Sequence, residues 1–263
     1  MKITKETSYL IGLIQTDGHL RQDTRNRGNL TIELAELDKD IIYKIAKLIP
    51  YDYSIFKRKR ETNFSDHSSS IGLRVCNQEF RKWINESGVP YGKKSLIVEP
   101  PFHLKELSIA DYVRGLWDGD GSVGITKTNR PFASFTTNSL KMKNFLERYI
   151  SNIVGNNNHH FTKPKRDNVF NIMITNEDAV LLATKLYPST CENISIKRKF
   201  INAQKIKTWK RPETMRQITW KRIKWTAEED EYLTINGIEA TTKKFSRTLS
   251  SASVRLWRLT GHC

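Results

Sequence analysis

The sequence predicts an α+β protein: two pseudo-symmetric αββαββα halves followed by a small all-α module. Three observations predict it. The stretches "LIGLIQTDG" (residues 10–18) and "VRGLWDGDG" (residues 113–121) share one skeleton: Gly, Leu, an apolar residue, two spacers, Asp, Gly. Behind each of them the chain passes through strand-like and helix-like patterns in the same order, the signature of an internal repeat. Near Lys224 a basic segment gives way to a short stretch with its own helix-start signals.

Each motif reads as a helix. Gly12 and Thr16 lie four apart on one face, as do Gly115 and Gly119. Small residues so placed let two helices approach backbone to backbone, which offsets the roughly 1 kcal/mol that a helical glycine costs relative to alanine. Gly18 and Gly121 fit as C-caps, and Asp17 and Asp120 come together at one end of the pair. Residues 29–49, "NLTIELAELDKDIIYKIAKLI", begin with strand alternation. From Asp38 they become a helix, with Ile41, Ile42, Ile45, Leu48 and Ile49 at helical spacing. "SIFKRKR" (54–60) reads as a strand. "SIGLRVCNQEFRKWI" (70–84) reads as a strand, an Asn, an acidic helix start and an apolar helix.

The second half repeats this order. "PFASFTTNSLKMKNFLERYI" (131–150) is a strand, then a helix starting near Asn138 or Ser139 with Met142, Phe145, Leu146 and Ile150 on one face. "HFTKPKR" (160–166) and "VFNIMITNEDAVLLA" (169–183) match the last two pieces of the first half. The register matches as well: Lys94 and Lys197 stand equally far behind Asp17 and Asp120. The organisation is a first repeat over 1–105, a second over 106–205, a basic linker over 206–223 and a helical module over 224–263. In the module, Thr226 and Glu229 form a capping box. "RTLSSASVRLWRL" (247–259) is a further capped helix, and Trp225 and Trp257 are core tryptophans.

The net charge of +16 over 263 residues predicts a polyanionic partner, nucleic acid ahead of an anionic membrane. No apolar run reaches about 18 residues and no signal-peptide pattern is present, which disfavours the membrane. Cys76, Cys191 and Cys263 are odd in number and far apart, with no C-x-x-C, so neither a disulfide framework nor a zinc knuckle is expected. A reduced intracellular compartment fits: cytoplasmic in a bacterial or phage context, otherwise organellar or nuclear. His159 and His160 adjoin an Asn run that reads as a loop.

Two carboxylates at adjacent helix C-termini repel each other and the partial negative charge of the helix ends. A divalent cation reverses that balance, and paired oxygen ligands with open water positions suit Mg²⁺. Such an ion beside a phosphodiester can activate water and stabilise the leaving oxygen.

"LIGLIQTDG" and "VRGLWDGDG" resemble the two signature motifs of single-chain LAGLIDADG homing endonucleases, and the resemblance covers about residues 1–205. It implies two saddle-shaped antiparallel sheets in the DNA major groove and a helix pair that delivers one acid per half, Asp17 and Asp120, to the minor groove. It also implies that the Thr16 and Gly119 carbonyls join the metal shell and that a basic residue beside the scissile phosphates falls on Lys94 and Lys197, with Lys93 as a register-shifted substitute. Two or three Mg²⁺ ions are implied at the helix interface, with Mn²⁺ able to substitute. Gln15 replaces the first acid of motif one. Thr16 is larger than usual and is expected to loosen the interface slightly. Arg114, where a small apolar residue is common, is expected to face solvent or DNA.

The module's "W-x-x-E-E-D…R-[ST]…S-V…W" pattern resembles a Myb/SANT-like helix-turn-helix, whose last helix enters the major groove. The expectation is therefore a monomeric, site-specific, Mg²⁺-dependent DNA endonuclease, intron-encoded, that hydrolyses one phosphodiester per strand of a long double-stranded target. Charge and position nominate Arg21, Arg58, Arg60, Arg74, Lys127, Arg130, Lys163 and Arg166 as strand-borne DNA contacts. Lys207, Lys210 and Arg211 in the linker region, and Arg255 and Arg258 in the last helix, complete the set. Two rivals use the same sequence differently: an RNA-binding maturase, and a non-cutting transcriptional regulator.

Overall fold

A computed structural model of the chain describes residues 1–23, 27–62, 65–155, 159–164, 169–213, 215 and 225–260, with backbone alone at 60–62 and 65–68. The chain forms two compact units, Met1–Arg211 and Pro212–Cys263.

The first half of the larger unit follows the predicted order: α1 (Lys5–Asp17), β1 (Gly18–Gln22), β2 (Gly28–Ala35), α2 (Lys39–Ala46), β3 (Tyr53–Thr62), β4 (Ser65–Val75) and α3 (Gln78–Glu86). Its strands form one antiparallel sheet in the order β1-β2-β4-β3. The second half runs α4 (Ile109–Asp120), β5 (Gly121–Ile125), β6 (Pro131–Thr137), α5 (Leu140–Val154), β7 (Phe170–Thr175), α6 (Asn176–Leu186) and α7 (Lys197–Lys207), with a 3-10 turn at Ser189–Ile194. Its antiparallel sheet has the order β5-β6-β7. The strand expected over 160–166 is seen as a single bridge, Thr162 with Asn171; residues 165–168 lie outside the described residues.

Side-chain alternation divides each sheet into a core face and an open face. Leu30, Ile32, Ile71, Leu73 and Val75 pack inward in the first half, as do Val123, Ala133, Phe135, Ile172 and Ile174 in the second. Between the two cores lie α1 and α4, buried over most of their length. Their approach depends on glycine. A Cβ at Gly12 would lie 2.2 Å from the Tyr112 carbonyl oxygen, and one at Gly115 would lie 2.1 Å from that of Tyr9. Thr16 does not loosen the contact as expected, because Gly119 opposite makes room for it; a Cβ there would meet Thr16 Oγ1 at 1.9 Å.

Local signals are satisfied where the sequence placed them. Asn77 caps α3 and Ser139 caps α5, and Thr4, not singled out in the sequence, caps α1. Gly18 and Gly121 cap their helices with extended rather than left-handed backbone, since each also opens a strand. Glycine is needed there for room against Ile14 and Trp117. Arg114 does not reach solvent or DNA. It is 2% exposed, donates to Asp111 at 2.6 Å and lies 5.4 Å over the Tyr9 ring. It sits on the core-facing side of α4, where an ion pair and an aromatic face replace water.

The smaller unit contains α8 (Ala227–Phe245), whose backbone leaves the helical region at Gly237 (φ 75°, ψ −179°), and α9 (Leu249–Thr260). The Thr226–Glu229 capping box forms. Trp225 packs under the Arg247 guanidinium, 4.7 Å from its ring. Trp257 is not a core residue: it is 60% exposed. The buried position of α9 is Ala252, and a residue five further on lies roughly 140° around the helix. No described helix is long and apolar enough to cross a membrane.

Candidate active site

The repeat places Asp17 and Asp120 as the last residues of the paired helices α1 and α4. Asp17 Oδ2 is buried and receives no hydrogen bond from the described residues. Burial, then the charge of Asp120, raise the Asp17 carboxyl to about 7 against the pull of Lys199 and Lys94. Asp120 is raised too, by desolvation on its protein side, and is pulled back by the same two lysines.

The two lysines hold matching places. Lys94 Nζ donates to the Thr16 carbonyl at 2.8 Å. Lys199 Nζ lies within 3.2 Å of the carbonyls of Trp117, Asp118, Gly119 and Gly121. Each lysine thus neutralises the negative end of one motif helix. Burial lowers both ammonium pKa values, while the carboxylates oppose the shift. Lys197 is not at the site. It is exposed at the start of α7, and two residues along a helix turn the side chain by roughly 200°. Lys93 is exposed as well.

Behind the carboxylates, each motif helix donates a tyrosine hydroxyl to the other. Tyr9 donates to Asp118 at 2.7 Å, and Tyr112 donates to the Gln15 side-chain oxygen at 2.5 Å. Asp118 also accepts from the Tyr187 hydroxyl and the Ile196 backbone N–H. Gln15 donates to the carbonyls of Gly88 and Glu99. Burial raises the Asp118 carboxyl and pushes the Tyr9 and Tyr187 hydroxyls far up, which keeps both phenols as donors. Sequence reading missed these residues, although Tyr9 and Tyr112 stand three before the glycine in each motif.

A cavity adjoins each acid. The one beside Asp17, about 470 Å³, is also lined by Glu33, Leu34, Ala35, Asp38, Ser70, Gly119 and Arg198. The one beside Asp120, about 250 Å³, is also lined by Thr16, Lys94, Ser95, Thr136, Thr137 and Asn138. No three acidic, His or Cys side chains converge among the described residues. The donors available to a cation are the two carboxylates, neighbouring carbonyls and any bound water or phosphate. The unpartnered oxygen of Asp17 and the mutual repulsion of the pair suit a hard divalent ion. The Thr16 and Gly119 carbonyls already accept from the lysines.

The open face of the first sheet carries Arg21, Arg58 and Arg74; Arg58 and Arg74 both lie over Phe56, at 4.9 and 5.2 Å. Arg58 also pairs with Glu33, and Arg21 with Asp23. Lys127 and Arg130 are exposed in the β5–β6 turn, and Lys163 lies over Phe170 at 5.4 Å. The Arg60 side chain and Arg166 lie outside the described residues. Besides Arg21 and Arg58, Lys207 is engaged internally with the Tyr187 carbonyl, Arg211 with Glu177, and Arg255 with Asp230. Lys210 and Arg258 are exposed.

A family model described as a LAGLIDADG-like domain matches residues 4–87 and again residues 108–185. No curated protein matches in sequence. Among solved structures the chain is similar to the homing endonuclease I-WcaI bound to its DNA recognition sequence, with 15% identity and a TM-score of 0.51 over 77% of this chain and 88% of that one. It is also similar to I-SmaMI bound to uncleaved DNA target in the presence of calcium ions, with 11% identity and a TM-score of 0.43 over 70% of this chain and 85% of that one.

Proposed function

Because this chain belongs to the LAGLIDADG-like domain family, we propose that it is a site-specific endonuclease that cuts both strands of a long DNA target. The observation that carries this reading is the pair of partly desolvated carboxylates, Asp17 half-buried and Asp120 opening to solvent, at the ends of tightly packed helices, each helix end capped by a lysine. A pure binder gains nothing from two carboxylates that repel.

Asp17 and Asp120 would hold Mg²⁺, with the Thr16 and Gly119 carbonyls beside them. Bound there, the cation supplies activation of water and compensation of charge on the leaving oxygen. Lys94 and Lys199 face the same region and stabilise negative charge that grows on the phosphate; Lys199 takes the place expected of Lys197. The tyrosine bonds to Gln15 and Asp118 lock the helices so that the acids do not drift apart. The open sheet faces hold the duplex, with Arg21, Arg58 and Arg74 on the first and the β5–β6 turn cations at the second. The helical module over 224–263 extends the footprint, with Arg258 among its exposed cations.

The test is incubation with the intronless insertion site of the protein's own gene, with and without Mg²⁺. A double-strand cut that needs the cation, and that Asp17→Asn or Asp120→Asn abolishes while binding persists, is the expected result. Substantial cutting by either variant overturns the two-carboxylate assignment.

A further inference from the structure

The two sheets share a register but not an open face. Gly18 lies opposite Ile32 as Gly121 lies opposite Phe135, so the strands of one half map onto those of the other. Arg74, opposite Thr31, then takes the place of Met173, opposite Ser134. By the same register Arg21 matches Gly124, and Glu33 matches Thr136. The strands β5, β6 and β7 contain no charged residue. Lys127 and Arg130 stand outside them, in the β5–β6 turn.

On the first sheet the charges are also held in place. Phe56 lies opposite Gly72, and its ring fills the space a side chain there would need: a Cβ at Gly72 would meet Phe56 Cζ at 2.3 Å. Arg74 stands two residues to one side of this row and Arg58 two residues to the other, and both guanidinium groups lie over the ring. Glu33 completes the row across Gly72 and accepts from Ser70 at 2.6 Å and from Arg58 at 3.2 Å. An aromatic floor with an acid beside it fixes the plane of a guanidinium. The acid also repels phosphate, and β4 lies between β2 and β3, so Arg74 suits base edges better than backbone.

A fixed guanidinium donates two parallel bonds to guanine O6 and N7. A thioether side chain packs instead against the thymine methyl group and leaves the polar edge of a G·C pair without a partner. Met173 is 64% exposed on the open face. We propose that the two half-sites of the target differ in composition: Arg74 and Arg58, held on Phe56, select guanines under the first sheet, and Met173 selects thymine under the second. This rests on the endonuclease reading, in which the open sheet faces hold the duplex.

Binding selection from a pool of random-sequence duplexes tests it, with the full chain and with Ca²⁺ in place of Mg²⁺. The unsubstituted chain enriches a motif with guanines in one half and thymine in the other. Arg74→Met lowers the guanine preference at one position by about tenfold or more. Met173→Arg, the reverse exchange at an exposed site, brings a guanine preference into the other half. Phe56→Leu relaxes the positions of both arginines, while affinity for an unrelated duplex stays within about twofold. Arg74→Met weakening every sequence alike makes Arg74 a phosphate contact and overturns the proposal. So does a motif without guanine in either half, or a Phe56→Leu motif identical to that of the unsubstituted chain. A pool that gains no motif strikes site-specific recognition, and the proposal with it. A motif of the expected composition that is bound but never cut in Mg²⁺ strikes the endonuclease reading and upholds the half-site assignment.

Discussion

Burial and the neighbouring Asp120 raise the Asp17 carboxyl to about 7, so the cation-free folded chain keeps a proton that the unfolded chain releases near pH 4. A group raised in this way contributes stability below about pH 4, and loses it as pH climbs towards 7. In chelator, Asp17→Asn is therefore more stable than the unsubstituted protein at pH 8, by on the order of 3 kcal/mol, and gains nothing at pH 4. Thermal melts at the two pH values measure this; equal melting temperatures at pH 8 contradict it. Lysine at the site gives a second residue-scale outcome. Lys199→Met slows cleavage far more than it weakens binding, while Lys197→Met, at an exposed position, leaves the cutting rate nearly unchanged. Comparable losses in both rate and affinity at Lys199 make it an ordinary phosphate contact. The carboxylates were legible because the motif occurs twice. Lys199 was not, because the 3-10 turn Ser189–Ile194 precedes α7 and the repeat register slips by two residues before the helix begins.

At the scale of the element, the α1–α4 pair leaves no room for a side chain at its glycines. Gly115→Ala would drive a methyl group to 2.1 Å from a backbone oxygen, which no side-chain rotation relieves. A loss of about 3 kcal/mol in urea denaturation is expected, and a shift within experimental error would show that the helices can slide apart cheaply. Most helices were legible, since Ile41, Ile42 and Ile45, and Met142, Leu146 and Ile150, are buried as their spacing required. Direction was harder to read than type. Arg114 and Trp257 were misplaced because charge and bulk suggest an environment only on average. Arg114 finds Asp111 and Tyr9 inside the core, and Trp257 falls on the side of α9 away from Ala252.

At the scale of the whole molecule, the two units can be tested separately. Among the described residues of the smaller unit, Arg247, Arg255 and Lys244 are matched by Glu229, Asp230 and Glu228, while Lys243 and Arg258 are exposed. Deleting residues 224–263 should therefore leave cutting intact, with somewhat weaker binding and a footprint shorter on one side. Footprints of the full and shortened chains on the same DNA decide it, and an unchanged footprint removes the module from the interface. The tyrosine bonds across the larger unit carry a different consequence. Asp118 draws its other donors, Tyr187 and Ile196, from its own half, and Gln15 likewise uses Gly88 and Glu99 of its own; only the tyrosine is borrowed. Tyr9 and Tyr112 are the same donor at the same place, so either acceptor would serve either tyrosine. A two-fold assembly of one half with itself would keep this reciprocal pair of bonds, so the two sides are free to drift apart without losing that joint between them.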